Sequence, residues 1–461
     1  MSRIAGRYGL ALLAACGLAL SVPTRATPLD APFADALAEA YLTNPQLATE
    51  RQRLREIDEG VPRALSGWRP QVAITAQAGA SAQFDNIDVQ HNPERRLPQA
   101  AVGSITQPLY TGGQVRAQVT QSEALVRAQR AALQASETAV LLAAATAYLD
   151  VARDEMIVSL NRHQDTVLGR SLHASELAAA AGAVTEADVA QGRARLADQR
   201  SATAKVEGGL GQSRAVFEQQ VGHPPGVLAI PVLLPAVPDE RDRILELAST
   251  TNFDVAEARL ALQASQAGID IARAGLMPKI SIVIEGERFR EIDVQQLHQR
   301  DNIAESLLEL TLPLYQGGAV AADTRRAKEA ALRSGLQVDT ILRMTRQQAM
   351  TAIDLLAAAE RQVAQQQVSI DANVVAERGI ARQQSVGART VIEVLNAQQE
   401  LLSARVNLVS ALRDRYVARL QLLAVTGGLS AAALDLPVPL YDPEAHYRRT
   451  RDRWYGTEPA K

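Results

Sequence analysis

The chain is short of several things, and most of these shortages close off a class of function. One cysteine in 461 residues excludes a disulfide framework and any Cys-ligated zinc or iron–sulfur site. A formal net charge of −3 excludes a nucleic-acid binder driven by bulk basicity. Aromatic residues make up only 3% of the chain. Of 48 basic residues only Lys205, Lys279, Lys328 and Lys461 are lysine, a bias with no mechanism attached. Beyond residue 26 there is no run of 18 or more apolar residues, so a membrane-spanning part would have to be made of strands. Proline is missing from Leu109 to His223 and again from Leu314 to Leu436, which suits very long helices. What is present, 47% hydrophobic against 21% charged residues, excludes a disordered chain.

Residues 1–26 read as a secretory signal. Arg3 and Arg7 precede an apolar stretch from Tyr8 to Val22, and Thr24-Arg25-Ala26 offers a small-residue cleavage site. Cleavage there would remove three Arg, no acid and the only cysteine, taking the net charge from −3 to −6. The alternative is a lipoprotein box, Leu13-Ala14-Ala15-Cys16, with Cys16 acylated instead of removed.

An internal repeat organises the rest. Pro108-Leu109-Tyr110-Thr111-Gly112-Gly113 recurs 205 residues later as Pro313-Leu314-Tyr315-Gln316-Gly317-Gly318, and Gly182-Ala183-Val184-Thr185-Glu186-Ala187-Asp188-Val189 recurs at the same offset from Gly387 to Val394. Earlier in each half, Asn44 pairs with Asn252, and Trp68-Arg69-Pro70-Gln71 with Leu276-Met277-Pro278-Lys279, at an offset of 208. The first repeat therefore spans 27–235: an opening helix near Ala34–Leu65, strands over 70–84 and 97–109, and long helices within 113–220. The second spans 236–436: a helix near Arg241–Leu276, strands over 278–288 and 305–315, and helices within 318–426. Residues 437–461 form a C-terminal tail.

The strands are predicted from period-two alternation. Val72, Ile74, Ala76 and Ala78 oppose Gln71, Thr75 and Gln77, while Ile280, Ile282 and Ile284 oppose Lys279, Ser281 and Glu285. Leu308, Leu310, Leu312 and Leu314 alternate with Glu309 and Thr311. The Pro-Leu-Tyr-x-Gly-Gly element suits a forced change from strand to helix, since Pro cannot donate to a ladder and Gly admits positive φ. Pro108, Gly112, Gly113, Pro313, Gly317 and Gly318 are thus predicted junction residues. A helix from Gln114 to Ala181 would run roughly 100 Å. Two adjacent rows seven residues apart predict coiled-coil packing of the returning helices: Val394, Leu401 and Leu408 beside Leu395, Leu402, Val409 and Tyr416, matched in the first half by Val189, Leu196, Thr203, Leu210 and Phe217. Four strands cannot close a membrane barrel, whose known sizes begin at about eight, so a barrel would need a dimer with 8 strands or a trimer with 12.

The repeat, both junctions, the segment Ala40-Tyr41-Leu42-Thr43-Asn44-Pro45-Gln46-Leu47 and the segment Val386 to Leu395 together resemble the TolC family of outer-membrane channel proteins, over about Leu29 to Leu436. The resemblance implies an α+β membrane protein, each tandem-repeat protomer contributing to a trimeric 12-stranded transmembrane β-barrel that continues into a long periplasmic α-helical coiled-coil barrel. It implies a cell outer-membrane location in a Gram-negative bacterium, no enzymatic activity and no cofactor. The implied partners are two further copies of the chain, outer-membrane lipid, a periplasmic adaptor and an inner-membrane transporter, with an exported protein or drug as cargo and no nucleic acid. Type I secretion of a protein toxin is the expected role. Multidrug efflux is the alternative, and a periplasmic coiled-coil scaffold without a pore is a more distant one.

The resemblance also carries site residues. Glu393 matches the first of two acids at the periplasmic constriction, and Asn396 stands where the family has the second, so a carboxylate ring would stack on an amide ring. Arg389 matches a hinge arginine, Asp188 the acid of the closed-state network, and Gln384 replaces the hinge tyrosine. Read without the family, Arg389 and Glu393 form a solvated i,i+4 pair, Asp188 is a helix-start acid and Asn396 a surface polar residue. The six histidines (91, 163, 173, 223, 298 and 446) show no metal-ligand spacing, and Glu207-Gly208-Gly209-Leu210-Gly211 lacks the Lys-Ser/Thr of a phosphate loop. The tail Arg448–Trp454, which mixes arginine with aromatics, reads as packing in preference to binding.

Overall fold

A computed structural model describes residues 29–83, 94–233, 235–293 and 298–459. The signal segment with Cys16, and most of the polar loop expected after Gln83, lie outside these residues.

The first repeat runs α1 (Ala31–Thr43), α2 (Pro45–Asp58), α3 (Gly60–Leu65), β1 (Gln71–Ala78), β2 (Ser81–Gln83), β3 (Glu94–Tyr110), α4 (Gln114–Ala180) and α5 (Glu186–Val221). The second runs α6 (Arg241–Thr250), α7 (Phe253–Arg273), β4 (Lys279–Asp293), β5 (His298–Thr311), α8 (Ala319–Ser385) and α9 (Val391–Val425), and α10 (Ala445–Thr450) lies in the tail.

The opening helix expected as one piece is broken in each half, at Asn44 and at Asn252. Both residues are extended N-caps. Asn44 Oδ1 accepts the Gln46 N–H at 2.9 Å, and Asn252 Oδ1 accepts the N–H groups of Asp254 and Val255 at 3.0 and 3.3 Å. Each side-chain amide also ties the break to the end of a returning helix, Asn44 Nδ2 to the Gln220 carbonyl at 3.2 Å and Asn252 Nδ2 to the Val425 carbonyl at 3.1 Å. The threonine before each asparagine repeats the tie, onto the carbonyls of Val221 and Thr426 at 3.0 and 2.7 Å. Helix-ending carbonyls that have no partner within their own helix are thereby satisfied.

The strands form one antiparallel sheet in the order β1-β3-β4-β5, with β2 also pairing β3. The repeats meet at β3–β4, where Ile105 faces Ile284 and Thr106 faces Val283. Cross-strand partners share a face, so Val72, Ile74, Ile105, Ile284, Ile282, Leu308 and Leu310 line one side. Gln71, Thr75, Thr106, Glu285, Glu305 and Glu309 line the other. Among the described residues the outer edges of β1 and β5 have no strand partner.

The predicted strand boundaries need correction, beginning with 70–84, which is split into β1 and β2. β3 and β4 run further into the expected loops, to Glu94 and Asp293, because they pair with each other from Arg96 and Asp293 onward while Glu94 and Arg95 pair with β2. β5 occupies 298–311 instead of 305–315. It begins early against β4 and stops at Thr311, opposite Lys279, where β4 itself begins. Leu314 and Tyr315, expected in this strand, are almost fully exposed.

The strand-to-helix junctions turn on paired glycines in the left-handed region, Gly112 and Gly113 at φ 66° and 83°, and Gly317 and Gly318 at 61° and 84°. Gly113 and Gly318 are the N-caps of the two longest helices. At 67 residues each, α4 and α8 span roughly 100 Å. By composition α4 contains a window apolar enough to cross a membrane, yet 56% of that window is buried inside the protein. This is where the main core forms. Phe33 stands edge-on to Tyr148 and Tyr416, with ring centroids at 5.1 and 5.4 Å, and Leu141, Leu149, Phe217 and Leu420 close around them. The first-half row Val189, Leu196, Thr203, Leu210 and Phe217 is buried throughout, and of the second-half rows Leu395, Leu401, Leu402, Val409 and Tyr416 are buried, Val394 and Leu408 half-buried.

Asn252→Ala removes a cap worth about 1 kcal/mol and strands the Val425 carbonyl at a cost of about 1–3 kcal/mol. A thermal unfolding midpoint well below that of the parent protein is expected. Asn252→Asp, which keeps the cap and loses the amide donor, falls between the two.

Candidate functional site: the helical tip

At the end of the helical body far from the sheet, two turns join α4 to α5 and α8 to α9. They are copies of one design. Gly182 and Gly387 sit at φ 77° and 78°. The Gly182 and Ala183 N–H groups reach back to the carbonyls of Ala179 and Ala178, as Gly387 and Ala388 do to Gln384 and Gln383, all at 2.9 Å. Such paired bonds close the ends of helices whose last carbonyls lack partners. Each following helix opens with a capping box, Thr185 with Asp188 and Thr390 with Glu393, in which side chain and backbone satisfy each other's N–H groups.

Asp188 therefore spends its carboxylate on its own turn, accepting from the Thr185 N–H at 3.0 Å and the Thr185 hydroxyl at 2.7 Å. These bonds hold its pKa below the usual carboxylate value. Glu393 Oε2 accepts from the Thr390 N–H at 2.8 Å, and Oε1 takes Arg389 Nη1 at 2.6 Å. The backbone bond first and the guanidinium second lower its pKa as well. Both carboxyls are ionised at neutral pH, and the order they give the turns is lost as pH falls through their lowered pKa values.

Arg389 is the hub of the second turn, since its Nε also donates to Gln383 Oε1 at 3.1 Å. The expected network of Asp188, Arg389 and Gln384 is assembled only in part. Within one chain Arg389 joins Glu393 and Gln383; the contact with the glutamine comes one residue before the predicted position, and Gln384 contributes its backbone carbonyl. Asp188 bonds Thr185 and stays in the other turn.

Asn396, one helical turn beyond Glu393, is exposed, and its Oδ1 accepts from Arg195 Nη2 of α5 at 3.0 Å. Directly behind this contact Leu168, Leu196 and Leu395 bury one another, with Leu172 and Val391 against them, so α4, α5 and α9 are locked together above the tip. Arg195 and Gln383 are the residues that sequence reasoning misses. Nothing local marks Arg195, because its partner lies in the other repeat. The Thr-x-x-Asp and Thr-x-x-Glu patterns at 185–188 and 390–393 do carry a readable capping signal. The site offers exposed carboxylate, amide and guanidinium groups with no nucleophile–base pair among them. Among the described residues no group of three or more His, Cys, Asp or Glu could hold a metal ion.

The two halves of this architecture are matched separately by a single family model, that of outer membrane efflux proteins, over residues 36–223 and 244–428. The chain belongs to that family. Outer membrane efflux protein BepC of Brucella suis biovar 1 (strain 1330) is 28% identical over 445 residues, covering 96% of this chain and 95% of BepC. Proteases secretion protein PrtF of Dickeya chrysanthemi is 27% identical over 233 residues, covering 49% of this chain and 50% of PrtF. The structure of the outer-membrane channel OprN superposes with a TM-score of 0.75 at 18% identity, covering 87% of this chain and 90% of that one. The likeness to the TolC family expected from the motifs is thereby met. The family member described here is an outer-membrane channel protein of the Gram-negative type, its sheet the membrane part and its long helices reaching into the periplasm.

Proposed function

We propose that three copies of the chain close a 12-stranded barrel and a continuous helical duct, through which cargo passes passively from an inner-membrane transporter and periplasmic adaptor to the exterior, with no catalytic step. The observation that carries this reading is the pair of unpaired sheet edges. In lipid, open edges would leave backbone groups unsatisfied at several kcal/mol each, and among the described residues of a single chain no other strand is left to cover them.

The repeat specifies how the edges meet. β3 corresponds to β5 and β4 to β1, so the β3–β4 register carried through the two offsets sets β5 of one copy against β1 of the next. Thr106 facing Val283 becomes Thr311 facing Thr75, and Pro108 facing Ser281 becomes Pro313 facing Ala73. This accounts for the early stop of β5, since residues 312–315 have their strand partner in another copy. Helix burial points the same way. Leu336 of α8 is 68% exposed, whereas its counterpart in α4, Ala131, is 6% exposed.

At the tip, Glu393 from each copy would form a ring at the constriction, with the amide of Asn396 a turn away, and Arg389 and Asp188 would belong to the network that holds the tip closed. For cargo, secretion of a protein toxin is the reading drawn from the overall resemblance, and the similarity to the proteases secretion protein PrtF supports a protein as cargo. The near full-length similarity to BepC favours efflux of small molecules as the second reading.

Three measurements test these statements. Thr75→Cys combined with Thr311→Cys should give a covalent trimer on mild oxidation, because facing residues of antiparallel strands lie within disulfide reach; chains that stay monomeric would refute the register. Divalent-cation block of single-channel current should weaken in Glu393→Gln, and in the parent protein as pH falls through the lowered pKa of Glu393, whereas block indifferent to both removes Glu393 from the constriction. Deleting the gene should abolish toxin secretion and leave drug susceptibility unchanged. The opposite pattern would establish efflux.

A further inference from the structure

Beyond α9 the tail climbs the helical body. Thr138 Oγ1 donates to the Leu429 carbonyl at 3.0 Å, and the Ala431 N–H donates to Glu137 Oε1 at 2.7 Å. Arg130 pairs with Glu444 at 3.0 Å and lies over the Tyr447 ring at 5.2 Å, and Arg451 reaches Glu123 at 3.7 Å. The partners on α4 count backwards from 138 to 123 as the tail advances from 429 to 451. The tail thus runs antiparallel to α4 for roughly 20 Å, towards the sheet. Along the way α10 is pinned by His446 Nδ1 against Asp58 Oδ2 at 2.9 Å, with both side chains buried.

The tail ends at the rim of the strands. Arg69, two residues before β1, donates from Nη1 to the Arg453 carbonyl at 2.7 Å, and its guanidinium stacks 4.9 Å from the centre of the Trp454 ring. There the chain folds back on the Arg453 side chain, which donates to the carbonyls of Tyr455 at 3.1 Å and Glu458 at 2.6 Å. Gly456 makes the turn possible at φ 104°, where a Cβ would lie 2.5 Å from Arg453 Nη2. The cation is tied up inside the turn and the aromatics face out, Trp454 65% and Tyr455 89% exposed. The only other tryptophan, Trp68, is part-exposed at the same rim.

An ordered turn that displays two large aromatics to water is unfavourable without a partner. Its height in the molecule identifies one. The oily strand face starts at Val72, three residues beyond Arg69, so the turn stands where the hydrocarbon layer gives way to water. Tryptophan and tyrosine suit that layer because each has an apolar body and one polar handle, and barrels carry aromatic girdles there. We propose that the Trp454–Tyr455 turn is an interfacial anchor seated among the phospholipid headgroups of the periplasmic leaflet, held at that height by the tail. The inference rests on the barrel reading above and goes beyond it, since no strand contributes to the anchor.

The test uses Trp68→Phe, in which Trp454 is the sole tryptophan, reconstituted into phosphatidylcholine vesicles brominated either near the headgroup or deep in the acyl chains. Channel conductance in the same lipids reports barrel insertion. Trp454 emission should be blue-shifted and should be lost to a greater extent with shallow than with deep bromines. Conducting channels with unquenched Trp454 would overturn the anchor and leave the barrel standing. Blue-shifted but unquenched emission, meaning burial against protein, would overturn it too, and absence of both insertion and quenching would overturn anchor and barrel together. Should Trp68→Phe fail to fold, the difference in shallow quenching between the parent protein and Trp454→Phe reads the same quantity, and no difference overturns the anchor.

Discussion

Everything in this molecule follows from the demand that backbone groups placed in hydrocarbon find partners. A four-strand path with one oily and one polar face cannot meet that demand alone, because its first and last strands each keep a bare edge. A helix satisfies its own backbone, so the rest of the chain is free to be long and thin. The glycine pairs at 112–113 and 317–318 convert one mode of satisfaction into the other within a few residues. The second glycine of each pair caps a helix of 67 residues. A side chain at either position would oppose the left-handed backbone on which the conversion depends.

At the far end the same demand is met locally. Long helices that turn back on themselves leave unpaired carbonyls and N–H groups, and the tip closes both sets with glycine turns and capping boxes. In consequence the acids there have two duties. Glu393 caps α9 and pairs with Arg389, so any event that draws Arg389 away also changes what holds the carboxylate. Asp188 has only the first duty within the chain. The cluster of Leu168, Leu196 and Leu395 ties α4, α5 and α9 together just above these turns.

The features legible in the sequence were those written in short-range pattern. Alternation marked the strands around Val72 and Ile282, proline-free length marked the long helices, and the seven-residue rows pointed to the seams. The breaks at Asn44 and Asn252 were visible as a repeat pair yet not as breaks, since a capping asparagine in an apolar periodic stretch looks like one more polar position. Arg195 and Gln383 were invisible for different reasons. The partner of Arg195 sits in the other repeat, and Gln383 differs from Gln384 only by the rotation of one residue about a helix, which decides whether a side chain faces the hub at Arg389. The end of β5 was misjudged because alternation reports the potential to pair, whereas a strand needs the partner to be there.

The repeats are not equivalent, and their differences separate packing within the chain from surfaces left for assembly. α4 carries Leu141 and Leu149 into the core, while the corresponding positions of α8 are Arg346 and Asp354. α4 is enclosed by α1, α2, α3, α5, α7 and α9, whereas α8 packs mainly against α6, α7 and α9. Here α4 of the first repeat packs against α9 and the tail in the main core, while α8 of the second repeat keeps the more exposed flank. In the proposed assembly one copy's second repeat meets another copy's first, a head-to-tail rule that closes a ring once the rotation per chain divides the circle evenly.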